Sequence, residues 1–117
     1  MIPATLVIGA SPAAREAAVR AALVPAEHTA IILEGIPDTQ SGLESASPTL
    51  QIVHIAPGCV CCTGNLTLRV TLNRLLRAKP DRLFIGLATS THITQIRAFL
   101  SAPPYDNLLA LTKDLHA

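Results

Sequence analysis

All three cysteines of this 117-residue chain lie within four consecutive positions, as Cys59, Cys61 and Cys62 in the stretch Gly-Cys-Val-Cys-Cys. Crowded thiols in a turn after proline and glycine are not typical of core packing, where a lone cysteine acts as a small hydrophobe. Thiolates prefer zinc, Cu(I) or other soft ions to magnesium. Residues two apart in extended backbone project to the same side, so Cys59 and Cys61 could bind one ion, and Cys62 could join them after a local bend. We therefore predict a soft-metal site, with thiol redox chemistry and inert packing as the alternatives.

A closed zinc site needs four ligands, and this motif supplies at most three. The fourth ligand could be His54, a water molecule, a residue of the loop 36–49 or a thiol from a second chain. His54 is the best candidate only by proximity, because a strand histidine is more often an ordinary core or edge residue. His28, His92 and His116 fall in predicted loops or near the terminus, where solvated side chains are expected. An open coordination position suits delivery of a metal better than permanent structure.

Composition limits the class of protein. Half of the residues are hydrophobic, but only 3% are aromatic and 15% charged, so the core must be aliphatic and a second copy or a partner could cover part of the surface. The net charge of +1 is not typical of nucleic-acid or membrane binders, although five of the nine basic residues fall between Arg69 and Arg82.

No apolar run reaches the roughly 18 residues that span a bilayer, and the N-terminus lacks the basic start of a secretory signal. The crowded cysteines favour reduced thiols in a cytoplasm. We predict one cytoplasmic domain over residues 1–117, without nucleic-acid or membrane partners.

Apolar strands alternate with helices along the chain. Short aliphatic or β-branched runs predict strands at residues 5–8, 29–33, 50–55, 82–87 and 107–112, the last followed by a polar tail. Helices are predicted to begin at residues 11, 64 and 89 and to end before the prolines at 25, 80 and 103. The alternation implies a three-layer α/β/α fold with a mostly parallel sheet of about five strands. Turns 9–16, 34–38 and 58–62 would then share the carboxyl edge of the sheet, unless the sheet is largely antiparallel.

The turn after the first predicted strand has the spacing of the phosphate-binding loop G-x-x-x-x-G-K-[ST] but keeps only its first glycine, Gly9. Ala14 takes the place of the second glycine, Arg15 of the lysine, and Glu16 of the magnesium-binding hydroxyl. Ala14 adds a Cβ where the backbone must approach a phosphate, and Pro12 removes an N–H donor. Glu16 places a carboxylate where phosphate charges should lie. We interpret this stretch as an ordinary strand-to-helix turn rather than a working nucleotide site.

Two longer stretches resemble a known family. Residues 53–63, Val-His-Ile-Ala-Pro-Gly-Cys-Val-Cys-Cys-Thr, followed by a helix and by Pro-Asp-Arg-Leu-Phe-Ile at 80–85, resemble the CobW-type GTPases. These are P-loop metallochaperones with a G-C-[IV]-C-C motif, related to the GTPases that insert nickel into urease and hydrogenase. The resemblance implies a P-loop NTPase-like domain that binds zinc or cobalt through the cysteines and hydrolyses GTP to drive metal transfer.

Residue by residue, the resemblance assigns metal binding to Cys59, Cys61 and Cys62, with Gly9 as a remnant of the nucleotide loop. Glu34 resembles the acidic residue that follows the second strand in the family. The chain also departs from the family pattern. The E-[ST]-[ST]-G segment expected after the fourth strand is Gly-Leu-Ala-Thr at 86–89, and the sequence ends before an N-K-x-D guanine-recognition motif or a C-terminal domain.

We therefore predict a degenerate, truncated CobW-like domain that binds zinc or a similar soft ion through its C-x-C-C motif and does not hydrolyse GTP. It would act as a metal carrier, sensor or accessory subunit. One alternative is a dimerisation module that pairs with itself or with an active CobW-type GTPase, with any metal incidental. The other is a residual GTP-binding metallochaperone.

Overall fold

The computed structural model describes residues 1–24, 26–35, 50–55, 66–88 and 93–117. Within these ranges the chain forms six strands, three α-helices and one 3-10 helix. In chain order they are β1 (Ile2–Ile8), α1 (Pro12–Ala22), β2 (Thr29–Glu34), β3 (Leu50–Ile55), α2 (Leu66–Arg77), β4 (Arg82–Leu87), α3 (Ile93–Leu100), the 3-10 helix (Tyr105–Asn107), β5 (Leu109–Leu111) and β6 (Leu115–His116). None of the helices in these ranges is long and apolar enough to cross a bilayer.

The strands form one parallel sheet in the order β3-β2-β4-β1, with β5 and β6 both on the outer side of β1. Strand β4 lies between β2 and β1, so that Phe84 has Ile31 on one side and Thr5 on the other. Every strand pair among the described residues is parallel. The predicted mostly parallel, P-loop NTPase-like α/β fold is confirmed, and the carboxyl ends of β1, β2, β3 and β4 meet at one edge of the sheet.

Helices cover both faces of the sheet, because successive strand residues point to opposite sides. Leu6 belongs to the core beneath α2 and α3, whereas its neighbour Val7 belongs to the core beneath α1. The larger core takes its helical side chains from Leu68, Leu72, Leu75, Ile96 and Leu100. The smaller core is centred on Val19 of α1, packed with Ile31, Leu33 and Phe84. Both cores are largely aliphatic, as the composition predicts.

Helix α1 begins where the sequence predicts. Ser11 is the N-cap residue, with extended backbone, and its Oγ accepts a hydrogen bond from the backbone N–H of Ala14 at 3.1 Å. Pro12 follows at the first helical position, where its missing N–H is not needed. The helix ends at Ala22, where the N–H of Leu23 returns to the carbonyl of Arg20.

The segment predicted as a polar tail contains a short strand, β6, at Leu115–His116. The strand predicted at 107–112 is present as the shorter β5 (Leu109–Leu111), because Asn107 belongs to the 3-10 helix. Strands β5 and β6 follow each other along the outer side of β1. Leu115 packs on the core beneath α1. Arg97 of α3 forms an ion pair with Asp114, and the backbone N–H of Ala117 donates to the carbonyl of Ile8 at 2.7 Å. These contacts hold the segment against the sheet, although its sequence has too few apolar residues to predict a strand.

Candidate functional site

The first strand-to-helix turn lies at the carboxyl edge of the sheet, between the ends of neighbouring strands. The backbone N–H of Gly9 donates to the carbonyl of Leu87 at 3.1 Å, and that of Gly35 donates to the carbonyl of Ile55 at 2.8 Å. The ends of β1 and β4 are therefore joined, as are those of β2 and β3. Turns 9–16 and 34–35 share this edge as predicted, at least over the residues that the structure describes.

Arg15 connects two strand ends at this edge of the sheet. Its side chain is buried, with 3% of the residue exposed. Nη1 donates to the carbonyl oxygen of Gly9 at 2.6 Å, and Nη2 donates to the carbonyl oxygen of Glu34 at 2.7 Å. The planar guanidinium thus bridges the ends of β1 and β2 across β4, which lies between them. A guanidinium can make such a two-pronged contact because its donors point in fixed, diverging directions.

Glycines around Arg15 leave the space that its side chain fills. A Cβ on Gly9 would lie 3.2 Å from Arg15 Cγ, and a Cβ on Gly35 would lie 3.2 Å from Arg15 Nη2. Gly35 also has a φ of +103°, a conformation that residues with a side chain rarely adopt. At Gly86 a Cβ would lie 2.6 Å from Leu33 Cδ2. Glycines directly after β1 and β2 and within β4 therefore allow the close packing at this edge.

Carboxylates surround the buried guanidinium. Glu34 is 9% exposed, and its Oε1 accepts a hydrogen bond from the backbone N–H of Ala88 at 2.9 Å. Burial lowers the pKa of Arg15 below its ordinary value, while the charges of Glu34 and Glu16 raise that pKa. An arginine remains protonated under such a balance. Carboxylates of β2 and of its own helix thus offset part of the cost of burying the Arg15 charge.

The turn uses its donors internally. The N–H of Ala14 is bound to Ser11 Oγ and the N–H of Arg15 to the Ser11 carbonyl at 3.1 Å, while Pro12 has no N–H. The cation at the position of the P-loop lysine is bound to two backbone carbonyls. Glu16, at the position of the magnesium-binding hydroxyl, is 3% exposed. Phosphate groups need free N–H donors and a free cation at this place, and the groups named here are already occupied.

The predicted metal ligands belong to a part of the chain that the structure does not describe. Cys59, Cys61 and Cys62 lie outside the described residues, as do loop 36–49 and His92. Strand β3, which the cysteine motif follows in sequence, ends at the same sheet edge as Gly9 and Gly35. His54 lies on β3 opposite Leu33 and is half-buried. Over the described ranges alone, no group of three or more His, Cys, Asp or Glu side chains could hold a metal ion.

Sequence reasoning missed two features of this edge. The sequence places Arg15 at the position of the phosphate-loop lysine, but it does not show that the side chain turns inward to the strand ends. Sequence reasoning also gives no role to Gly35 or Gly86. A glycine directly after a predicted buried strand is the one signal that could have indicated the close approach at Gly35.

Comparison with known proteins identifies the chain. A parallel sheet covered by helices on both faces, with its first strand-to-helix turn at the carboxyl edge, is the architecture of a P-loop NTPase-like α/β domain. Residues 18–112 match the family model described as CobW/HypB/UreG, nucleotide-binding domain. The chain therefore belongs to this family of CobW-type P-loop GTPases and metallochaperones. The match begins at residue 18, after the altered turn 9–16.

One curated relative is the zinc chaperone YeiR of Escherichia coli strain K12. It is 44% identical over 63 residues, which are 53% of this chain and 19% of the relative. The chain thus spans about a fifth of that protein's length. No solved structure matches the chain significantly.

Proposed function

We propose that this chain handles zinc or a similar soft metal ion through Cys59, Cys61 and Cys62, without hydrolysing GTP. The observation that carries the second half of the proposal is the double hydrogen bond from Arg15 to the carbonyls of Gly9 and Glu34. The first half is supported by the thiol motif, by membership of a metallochaperone family and by similarity to a protein named as a zinc chaperone.

Loss of nucleotide function follows from the free energy of moving Arg15. Hydrogen bonds to a charged group contribute about 1.5–3 kcal/mol each, so freeing the guanidinium from two carbonyls costs about 3–6 kcal/mol. A cost of that size lowers phosphate affinity by about 10²–10⁴-fold. The same movement would leave two carbonyls and the charge of Glu34 without their cation. The turn is therefore better suited to joining the ends of β1 and β2 than to binding GTP.

The metal half of the proposal is tested by titrating reduced protein with Co(II) and following the thiolate-to-cobalt absorption. Zinc sites with four ligands have about 10–16 kcal/mol of binding free energy, so each ligand accounts for about 2.5–4 kcal/mol. Cys59→Ser or Cys61→Ser should therefore weaken binding by about 10²–10³-fold. His54→Ala tests the nearest described candidate for a fourth ligand, and His28→Ala is its matched control on the exposed loop before β2. Unchanged uptake by Cys59→Ser would contradict the proposal.

The nucleotide half has its own readout. Thermal unfolding of the parent chain should not change when GTP and magnesium are added, because a ligand that binds only the folded state would raise the melting temperature. A clear rise would instead support the residual GTP-binding metallochaperone. The metal and nucleotide measurements are independent, so either half can fail alone.

The predicted partners, a second copy or a CobW-type GTPase, are part of this proposal, as is a cytoplasmic location. All described strands belong to one sheet, which supports a single domain within residues 1–117. Size-exclusion chromatography with and without zinc tests the dimer. If the dimer forms equally with and without zinc and is unchanged by Cys61→Ser, the result would favour the interaction module over the metal carrier.

A further inference from the structure

A groove runs along the outer side of α2 towards the 3-10 helix. It consists of two adjoining cavities, of about 310 Å³ and 210 Å³, which share the side chain of Asn73. We call this surface the α2 groove. Its described lining includes Val70, Arg74 and Arg77 on one side of Asn73 and Arg69, Phe99 and Tyr105 on the other. The groove lies on the sheet face opposite α1.

The polar side chains of the α2 groove present hydrogen-bond donors. Arg69, Arg74 and Arg77 are exposed guanidinium groups. The Tyr105 hydroxyl donates to Oδ1 of Asn73 at 2.7 Å. This bond uses the acceptor of the Asn73 amide and leaves its NH₂ group as the donor for other partners. A ligand of the groove must therefore bring acceptors, and three cations favour acceptors with negative charge.

The described lining of the α2 groove is basic and has no acidic side chain. Residues 45–80 contain no Asp or Glu. Arg74 and Arg77 are in the last turn of α2, where the helix dipole favours a cation. Arg69 is near the start of the helix, where the dipole opposes a cation. Helix stability therefore explains the basic residues at one end of the groove but not at the other.

The position of Arg69 is fixed by an aromatic contact. Its guanidinium carbon lies 5.6 Å from the centre of the Phe99 ring, and Phe99 in turn meets Tyr105 edge-on at 5.1 Å. The cation is thus held in place beside the second cavity rather than left to move freely in solvent. At the first cavity, Val70 is 51% exposed and offers an apolar contact between the charged groups.

We propose that the α2 groove binds an extended, acidic segment of a partner protein. Arg69 and Arg77 are eight residues apart, about 12 Å along the helix axis. About four residues of extended chain cover this length at roughly 3.3 Å per residue. Acidic side chains on such a segment would meet the three arginines, and an apolar one would meet Val70. Single-stranded nucleic acid fits less well, because Arg69 covers the Phe99 ring and Tyr105 is 2% exposed, which leaves no open ring for base stacking.

Fluorescence anisotropy with the full chain tests the proposal. The probe is a labelled, end-capped peptide Asp-Glu-Val-Asp-Glu, and its neutral analogue is Asn-Gln-Val-Asn-Gln. Saturable binding is expected for the acidic peptide alone, and it should weaken between about 50 mM and about 300 mM salt because exposed ion pairs are screened. Arg74→Glu with Arg77→Glu should weaken binding about tenfold, because each change removes an exposed ion pair to the peptide.

The matched control is Arg20→Glu with Lys113→Glu, which changes the net charge equally at exposed positions outside the groove. Its affinity should stay within about twofold of the parent, because charges more than a Debye length away are screened. Far-UV circular dichroism checks that all variants fold, and Arg74→Gln with Arg77→Gln replaces any charge reversal that does not.

Three results would overturn the proposal. The first is absence of saturable peptide binding by the parent chain. The second is an equal loss of affinity in the groove variant and the control variant, which would indicate a net-charge effect. The third is tighter, arginine-dependent binding of a single-stranded oligonucleotide in place of the peptide. The proposal does not rest on metal binding, so none of these results bears on the cysteine site.

Discussion

Replacement of Arg15 by lysine tests whether the first turn of this domain has become structural. The change restores the residue type of the phosphate-binding loop, so a working nucleotide site would tolerate it or bind GTP better. In the structure, however, the two Nη atoms of Arg15 bind two carbonyls that belong to different strands. A lysine ammonium donates from one nitrogen, so it cannot reach both carbonyls as the two separated Nη atoms of a guanidinium do. One of the two hydrogen bonds should therefore be lost.

The magnitude follows from burial. Because Arg15 is 3% exposed, water does not replace the lost bond, and Arg15→Lys should lower the free energy of unfolding by about 1.5–3 kcal/mol. Arg15→Ala loses both bonds, about 3–6 kcal/mol. Since small domains have only about 5–15 kcal/mol in total, the alanine variant should be close to unfolded and the lysine variant clearly folded.

Urea unfolding followed by far-UV circular dichroism measures both changes. Arg20→Lys, on the exposed side of the same helix, is the matched control and should stay within about 0.5 kcal/mol of the parent. Each variant is also unfolded with GTP and magnesium present. The reasoning is refuted if Arg15→Lys is as stable as the control variant and gains stability from GTP.

Two further predictions concern Gly35 and Tyr105. Gly35→Ala should lower the free energy of unfolding by urea by about 1–3 kcal/mol. Gly35 has a φ of +103°, and the new Cβ would lie 3.2 Å from Arg15 Nη2. A decrease below about 0.5 kcal/mol would contradict the packing around Arg15. Burial raises the pKa of Tyr105 and the charge of Arg69 lowers it, so Arg69→Ala should raise the pKa further. Tyr105 is the single tyrosine and the chain has no tryptophan, so absorbance near 295 nm reports its ionisation directly. The pKa of Tyr105 is raised in the folded state, so the neutral phenol stabilises the fold. This stabilisation should be complete at pH values below the tyrosine pKa of the unfolded chain, about 10, and should be lost as the pH rises through the pKa of the folded protein.

The parts of the fold that sequence predicts are those determined by short-range patterns. Leu68, Leu72 and Leu75 follow helical spacing and are all buried on α2. Ser11 and Pro12 define the start of α1 because capping involves only the next few residues. The four predicted strands up to residue 87 agree with β1 to β4 within a few residues, since each is a continuous apolar run between turn residues.

The remaining features depend on contacts between distant residues. Strand β6 consists of Leu115 and His116, and no periodic pattern is visible in two residues. The carbonyl of Glu34 that Arg15 binds is 19 positions away in sequence, so only the parallel pairing of β2 with β4 and of β4 with β1 brings them together. The three cysteines are the clearest chemical pattern in the sequence, and the Co(II) titration tests whether they bind metal.

The contacts of Arg15 bear on how the proposed metal site would release its ion. In a nucleotide-driven site, the first turn must exchange internal contacts for phosphate contacts when GTP binds. Here that exchange starts from a buried guanidinium bound to two strand ends, at a cost of about 3–6 kcal/mol. The cysteine motif follows a strand that ends at the same edge, so the edge would stay fixed while the metal enters and leaves. Metal affinity should then depend on thiol protonation and on competing thiolate ligands, because protons and metal ions compete for the same sulfur atoms. A carrier of this kind would transfer its ion to a stronger thiol site without GTP, which is the behaviour that separates it from a GTP-driven metallochaperone.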